Sequence, residues 1–188
     1  YLGDLSPELA QTIMPLSNYI AATEPLGAAR AKALIPSGAA VADTKFVLDY
    51  YRLSADGRLI FGGGETYGGR DVENAAEIVR PNMLRVFPQL GDVRVDYAWG
   101  GRLAITMPRL PHVGRLAPNL YFAQGFSGQG VAIATLVGKL LAEAITGQAS
   151  RFDVYEGLKV PPLPGGALFR KPLLTLGLMW YALRDRLG

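Results

Sequence analysis

A glycine-rich loop between an apolar strand and a long apolar helix constrains the fold of this chain more than any other feature. Residues 119–123 are predicted to form a compact buried strand, and a helix is predicted from about Val131 to Ile145, before a stop at Gly147. The apolar residues of this helix share one face: Ile133, Leu136, Val137, Leu140, Leu141, Ala144 and Ile145. We therefore expect the strand and the helix to pack against each other across the loop.

The loop from Gly125 to Gly130 has the sequence GFSGQG. The first amides of a helix lack intrahelical partners and carry partial positive charge, so such a loop can bind an anion or a dipolar acceptor. No Lys-Ser or Lys-Thr pair follows, which excludes a P-loop, and Ile133 stands where a dinucleotide-binding motif needs a small residue. Ligand binding and simple helix–strand packing are equal alternatives on this pattern.

The composition excludes several classes of protein. The 188 residues include no cysteine and one histidine, which excludes disulfide scaffolds, thiolate zinc sites and His-rich metal centres. A formal net charge of +3 without a basic cluster gives no support for nucleic-acid binding. No signal peptide and no membrane-spanning apolar run are visible, so we expect a cytoplasmic protein. Because the chain starts at Tyr1, as if in the middle of a longer sequence, we expect a fragment.

The first hundred residues predict an antiparallel α+β lobe without a βαβ pattern. Strands are predicted at 15–26, 46–54, 58–63 and 93–99. The Asp56-Gly57 pair predicts a hairpin between the second and third of these strands. A helix is predicted over 71–90, with Pro81 starting a second segment, and turns are predicted at 41–44 and at Gly100-Gly101.

The rest of the chain is predicted to be more irregular outside the strand–loop–helix element. Short extended pieces are predicted at 104–106 and 112–116, and a short strand and turn at 151–159. Residues 161–166 read as a rigid linker, followed by a last helix to about Arg186. This helix has an apolar centre and basic ends, and we expect it to dock on the parent protein or on a partner subunit rather than on a membrane.

The order of several short motifs resembles that of a known family. The motifs are Trp99-Gly100-Gly101, Thr106, Pro111-x-Val113-Gly114, NLYFAQ and GFSGQGVAIA, preceded by FVLDYYRLSADGRLIFGGGE and FPQL and followed by RFDVYEGLKVPPLPGG. Together they resemble the C-terminal portion of the FAD-dependent D-amino-acid-oxidase/glycine-oxidase family. The nearer resemblance is to its amine-oxidising members, of the gamma-glutamylputrescine oxidoreductase type, and it covers nearly the whole chain.

The resemblance implies a domain organisation with four parts. Residues 1–11 would connect from an FAD-binding Rossmann segment that is absent here, and 12–98 would form the antiparallel substrate-binding lobe. Residues 99–150 would be the returning segment of the FAD-binding α/β domain, and 151–188 a linker and docking helix. The absent Rossmann segment is then an expected partner, and a homo-oligomer is an open alternative.

The resemblance also implies FAD as the cofactor and a small-molecule amine as the substrate. The amides of Gly128, Gln129 and Gly130 would face the flavin, with Gly125, Phe126 and Ser127 lining the approach. Hydride transfer from the carbon next to the amine nitrogen needs no strong base when the amine is neutral, so no catalytic residue is assigned.

Four residues are expected to bind the substrate: Tyr50, Arg52, Trp99 and Arg102. In amino-acid-oxidising relatives an Arg after the Trp-x-Gly turn binds the substrate carboxylate, but the matching position here is Leu103. Since a displacement by one residue on an extended segment points a side chain to the other face, this favours an amine without an adjacent carboxylate. His112 is expected to be a packing or surface residue, and Asp49 and Glu65 to be structural.

Two alternatives to the amine-oxidising fragment stay open. One is an FAD-dependent D-amino-acid or glycine-type oxidase, or a dehydrogenase subunit. The other is a non-catalytic α+β ligand-binding module that shares only the glycine loop and helix.

Overall fold

The computed structural model describes residues 5–45, 47–66 and 72–165, together with 169, 172, 175–177, 179, 180, 183 and 184. The chain divides into two compact units. The sheet unit consists of residues 17–101 and 175–188, and the helix unit of residues 1–16 and 102–174. The assignment of roles to chain segments 1–11, 12–98, 99–150 and 151–188 stays a prediction.

The elements follow one another in chain order as α1 (Pro7–Ala10), β1 (Met14–Thr23), α2 (Ala28–Leu34), β2 (Val41–Ala42), β3 (Tyr50–Leu53), β4 (Leu59–Thr66), α3 (Ala75–Val86), a 3₁₀ turn (Pro88–Leu90), β5 (Val95–Ile105), β6 (His112–Ala117), β7 (Leu120–Gln124), α4 (Gly130–Ile145) and α5 (Ser150–Glu156). Strands β1 to β5 form one sheet in the order β2-β3-β4-β1-β5, and β6 and β7 form a second. Three neighbouring pairs of the first sheet, and the β6–β7 pair, are antiparallel. The predicted α+β class with antiparallel sheets is confirmed.

The predicted hairpin around Asp56-Gly57 is confirmed. Strands β3 and β4 pair with Leu53 opposite Leu59, and Gly57 takes a φ of 77° that suits glycine. The predicted turn at 41–44 is wrong at its start, because Val41 and Ala42 pair with Tyr51 and Tyr50 as strand β2.

Helix α3 is continuous, so the predicted break at Pro81 is wrong. Asn74 caps the helix by accepting a hydrogen bond from the amide of Ala76, and Pro81 lies within the helix. Proline removes one backbone hydrogen bond, but Ala75, Val79 and Met83 form a buried stripe. Burial of this stripe against Leu59 and Phe61 of β4 outweighs that loss.

Strand β5 runs through Gly100 and Gly101, so the predicted turn at this pair is wrong. A Cβ atom at Gly100 would lie 2.7 Å from Cε1 of Tyr19, which is a buried residue of β1. Glycine is therefore needed here because the Tyr19 ring occupies the space of a side chain, not because the chain turns.

The helix unit contains the predicted strand, glycine loop and helix. Helix α4 covers Gly130–Ile145 and is followed by Gly147 with a φ of 95°, as predicted. Strand β7 is largely half-buried or exposed, so the expectation of a buried strand is wrong. Of the apolar face predicted for the helix, Val137, Leu140 and Ala144 are buried.

Residues 150–156 form helix α5, so the strand predicted within 151–159 is wrong. Phe152 is fully buried against the α4 residues Val137 and Leu140. Asp153 and Glu156, which are three residues apart and therefore on one helix face, both bind the Arg115 guanidinium at 2.7 Å. These tertiary contacts, rather than local propensity, determine the helix.

The predicted last helix, from about 167 to Arg186, lies mostly outside the described residues. None of the helices in the described part of the chain combines the length and apolar character that a membrane crossing requires.

Candidate functional site

Gly125 begins the glycine loop with a φ of 69°. A Cβ atom at this position would lie 2.4 Å from Cγ2 of the buried Thr106 and 3.1 Å from Cδ1 of Ile13. Packing alone therefore requires glycine at position 125, whether or not a ligand approaches it.

Ser127 holds the middle of the loop in a left-handed conformation, with a φ of 51° that is uncommon outside glycine. Its amide donates to the carbonyl of Ala104 at 3.1 Å, and its hydroxyl donates to the carbonyl of Gly125 at 3.2 Å. The amide of Thr106 donates to Oγ of Ser127 at 3.3 Å. These bonds to the end of β5 maintain the strained conformation.

The N-terminus of α4 follows directly and carries no cap from its own N-cap side chain. Gln129 is exposed and forms no side-chain hydrogen bond to the first-turn amides. The first turn closes where the amide of Ile133 donates to the carbonyl of Gln129 at 3.2 Å. A Cβ atom at Gly128 would meet nothing within 4 Å, and one at Gly130 would make only ordinary contact with Phe126.

This arrangement can accept a negatively charged or dipolar group. The amides of Gly130, Val131 and Ala132 precede the first intrahelical bond, and Val131 is 98% exposed. The glycine loop leaves open space at Gly128 in front of them. The first turn of α4 therefore fits the edge of a cofactor on which negative charge develops.

His112, on β6, takes part in a polar network at the base of the loop. Thr12 donates its hydroxyl to the carbonyl of Leu9 at 2.8 Å, and its oxygen lies 3.0 Å from Nδ1 of His112. The side-chain amide of the buried Gln124 donates to the same carbonyl at 3.1 Å. Since the Thr12 proton is directed at Leu9, the network favours the imidazole tautomer with hydrogen on Nδ1.

The imidazole of His112 also borders a cleft of about 430 Å³ in the helix unit. Its ring packs edge-on against Phe122, with a distance of 4.8 Å between ring centroids. Burial lowers the pKa of His112 below its ordinary value. The expectation of a packing residue agrees with these contacts, although the ring is only half-buried.

Tyr50 and Arg52 lie on one face of β3, and Tyr51 lies on the other. Tyr51 stacks on Phe61 in the core with 5.4 Å between ring centroids, so Tyr50 and Arg52 belong to the opposite, open face of the sheet. The hydroxyl of Tyr50 donates to Oδ1 of Asn18 at 2.5 Å. Burial, and secondly the nearby charge of Glu65, raise the pKa of Tyr50.

Trp99 and Arg102 both lie on β5, in different units. Trp99 is 47% exposed. The guanidinium of Arg102 is exposed, whereas Leu103 is half-buried. Tyr50 and Arg52 therefore share the open face of the sheet unit. Trp99 is exposed on β5 of the same unit, and Arg102 belongs to the helix unit.

Comparison with known proteins decides the family. Residues 1–144 match the family described as DAO, FAD dependent oxidoreductase. The chain belongs to this family. The resemblance seen in the sequence motifs is thus confirmed. The alternative of an unrelated binding module that shares only the glycine loop and helix is excluded.

Several known proteins match most of the chain. It is 46% identical over its whole length to gamma-glutamylputrescine oxidoreductase of Escherichia coli, of which it covers 44%. The L-proline dehydrogenase of P. horikoshii is 27% identical and matches 71% of this chain and 36% of its own, with a TM-score of 0.56. The iminodiacetate oxidase of Chelativorans sp. BNC1 shares the fold at 18% identity and a TM-score of 0.58, over 73% of this chain and 37% of its own. The chain thus spans less than half the length of these relatives.

Sequence reasoning missed two residues beside the predicted set. Asn18 carries no recognisable motif, and only the pairing of β1 with β4 brings it to Tyr50. Thr106 stood in a family motif, but its hydrogen bonds to Ser127 follow from the tertiary position of the end of β5. The sequence held no signal for either contact.

Proposed function

We propose that this chain is the C-terminal part of an FAD-dependent oxidoreductase that oxidises the C–N bond of an amine of the gamma-glutamylputrescine type. Membership of the FAD dependent oxidoreductase family supports the redox class. The similarity to gamma-glutamylputrescine oxidoreductase, over the whole chain, supports the amine substrate. The observation that carries the proposal is the uncapped first turn of α4 behind an open glycine loop.

The residues of this loop would hold the cofactor edge. The amides of Gly130 and its neighbours would donate to a carbonyl or anionic nitrogen of FAD, and Gly128 would let the ring system approach the backbone. Ser127 and Phe126 would shape the approach, while Gly125 acts through packing against Thr106. When bound, FAD supplies the acceptor for the hydride that leaves the carbon beside the amine nitrogen.

The chain's own contribution is to bind, orient and stabilise. The bonds between Thr106 and Ser127 fix the loop that precedes α4, so the first amides of this helix would stabilise developing negative charge without rearrangement. The open face of the sheet unit, with Tyr50 and Arg52, would bind the amine, together with the exposed Trp99 of β5. No basic residue is needed for a neutral amine, and none is assigned.

The outer surface of α4 supports the presence of a further protein layer in the intact enzyme. Besides Val131, its outward side chains include Ile145 at 65% and Leu136 at 38% exposed, and Ala132 and Ala134 are also exposed. Exposed apolar surface of this extent on one helix typically marks a covered face. We propose that the Rossmann segment of the same protein covers it.

A Gly130→Asp variant of the intact protein tests this function. The aspartate places negative charge and bulk at the helix start, so we expect an intact, folded protein without bound flavin and without oxidation of gamma-glutamylputrescine. Gly91→Asp is the matched control, because Gly91 has a φ of −60° and lies outside the helix unit. Normal flavin content in Gly130→Asp, by absorbance after desalting, would contradict the placement of the cofactor.

A second candidate, oxidation of an α-amino acid, is favoured by one observation. The exposed Arg102 lies one position before the half-buried Leu103, which leaves a guanidinium near the family's carboxylate-binding position. An Arg102→Gln variant separates the candidates, because loss of activity on glycine or D-amino acids but not on gamma-glutamylputrescine would support the second. The matched control is Arg109→Gln, on the following turn.

A further inference from the structure

The three consecutive glycines of β4 form a bulge in the sheet. Two steps along β1, from Asn18 to Ile20, correspond to three along β4, from Gly62 to Glu65. Gly63 and Gly64 have φ values of 154° and 78°, in the region that favours glycine. The extra residue therefore lies at Gly63-Gly64, opposite Tyr19.

The bulge changes the face on which Glu65 lies. Phe61 faces the core with its partner Ala21, and strict alternation would place residue 65 on that same buried face. The extra residue reverses the alternation, so Glu65 instead pairs with Asn18, whose side chain lies on the open face with Tyr50. The glycines thus bring a carboxylate to the open face.

Tyr50 and Asn18 complete a cluster of oxygen atoms around this carboxylate. The Tyr50 ring lies across β4 so closely that a Cβ atom at Gly62 would overlap it. The Tyr50 hydroxyl donates to Oδ1 of Asn18, and that oxygen has a second lone pair. Directly opposed side chains on neighbouring antiparallel strands lie about 5 Å apart at Cβ, which places Glu65 next to Asn18 on this face.

We propose that Glu65, Asn18 and Tyr50 form a binding site for a substrate ammonium group that is not itself oxidised. A carboxylate and two neutral acceptor oxygens on one face match the three N–H donors of an ammonium group. The site rests on the proposed function, since it assigns the cationic end of the amine substrate. In gamma-glutamylputrescine this end is the α-ammonium group of the glutamyl moiety.

The cluster favours a cation over an anion for electrostatic reasons. Burial, and secondly the charge of Glu65, raise the pKa of Tyr50, so the phenol stays neutral and adds an acceptor oxygen rather than a second charge. Arg52, two residues beyond Tyr50 on the same face, directs its Nε to the carbonyl of Leu53 at 3.3 Å. Because the Glu65 charge repels an anion, an anionic substrate group would bind Arg52 rather than this cluster.

The test compares two ligands on the intact protein. Gamma-glutamylputrescine and N-glutarylputrescine differ only in the α-ammonium group. In a Glu65→Gln variant we expect KM for the glutamyl compound to rise roughly ten- to hundredfold, the range for loss of a hydrogen bond to a charged group, with kcat within about twofold. KM for the glutaryl compound is expected to stay unchanged.

Three further measurements make the result decisive. Glu65→Asp, which keeps the charge, is expected to recover part of the affinity, and Glu73→Gln, at an exposed position before α3, is expected to behave as wild type. Calorimetric binding of both ligands gives the comparison without turnover. Equal loss of affinity for both ligands, or none for either, overturns the ammonium site. A wild-type protein that binds both ligands but oxidises neither overturns the proposed function instead.

Discussion

The sheet unit and the helix unit differ in how they bury their apolar residues. In the sheet unit, α3 presents Val79 and Met83 to Phe61 of β4, and all three are fully buried. In the helix unit, α4 buries Val137 and Leu140 on one side, while its other side remains open. The sheet unit thus closes its core with its own elements, whereas α4 leaves apolar side chains exposed among the described residues.

This difference agrees with the roles proposed for the two units. The sheet unit can present an open, partly polar face because its other face is well packed by α3. The helix unit places backbone amides at a helix start, and its loop is positioned by Thr106 and Ser127 rather than by a large core. A rigid layer suits side-chain recognition, and a helix terminus suits recognition of a charged edge.

The largest expected effect concerns the closed core of the sheet unit. Phe61→Ala removes a fully buried ring that stacks on Tyr51, and we expect a loss of about 4 kcal/mol in the free energy of unfolding. Tyr97→Ala is the control, since Tyr97 is 58% exposed and contacts Arg58, and its loss should stay below about 1 kcal/mol. Urea denaturation measures the free energy of unfolding of both variants. Similar losses in the two would contradict the closed core described for the sheet unit.

A second expected effect concerns the bulge. Gly64→Ala places a Cβ atom 2.5 Å from Cγ2 of Ile78, at a φ of 78°, and should destabilise the protein by about 2 kcal/mol or more. Gly101→Ala is the matched control, because it lies on a strand with nothing within 4 Å of its Cβ position. If thermal denaturation shows the two variants to be equally stable, the bulge is not constrained as described.

A third, smaller effect tests the open side of α4. If another layer covers this side in the intact protein, Val131→Ser should lower the free energy of unfolding by about 1–2 kcal/mol, the value for a newly buried valine. Val154→Ser on α5, at a residue 69% exposed, should change it by less than about 0.5 kcal/mol. Equal, negligible changes in the intact protein would show that the outer face of α4 meets solvent.

The smallest expected effect is a pH dependence from His112. Because burial lowers its pKa in the folded state, the unfolded chain binds more protons below the ordinary pKa of about 6.5. The contribution of His112 to the free energy of unfolding is therefore fully present above that pH. It is lost as the pH falls toward the lower pKa of the folded state. His112→Gln should remove this dependence.

The imidazole of His112 can be followed directly by NMR, since the sequence contains one histidine. The cleft beside His112 is also bordered by Glu8, Arg115 and Glu156. A titration midpoint of the imidazole above pH 6.5 would show that the two carboxylates raise its pKa by more than burial lowers it.

Local patterns predicted the elements whose causes are local. The Asp56-Gly57 hairpin and the α4 helix with its Gly147 stop depend on a few adjacent residues, and both are present in the structure. The predictions at Pro81, Gly100 and residues 151–159 were wrong for another reason. The structure at each of these positions depends on a residue far away in the chain. For Gly100 this partner is the Tyr19 ring, and for α5 it is Arg115.

The candidate site divides in the same way. The glycine loop and Tyr50 were visible as motifs, but the reason for Gly125 is packing against Thr106, which no local pattern indicates. Glu65 was expected to be structural because residue types alone do not show on which face of a sheet they lie. One inserted residue at Gly63-Gly64 reverses that face, and only the pairing with β1 reveals it.

By itself the amino-acid sequence determined the family, the α+β class and the glycine loop before α4, because these depend on the order of short motifs and on neighbouring residues. The tertiary structure decided that Asn18 pairs with Glu65 and accepts a hydrogen bond from Tyr50, and that one side of α4 is exposed. The physical reason is that strand register and packing join residues far apart in the chain, and their energies appear only when the partners are in place.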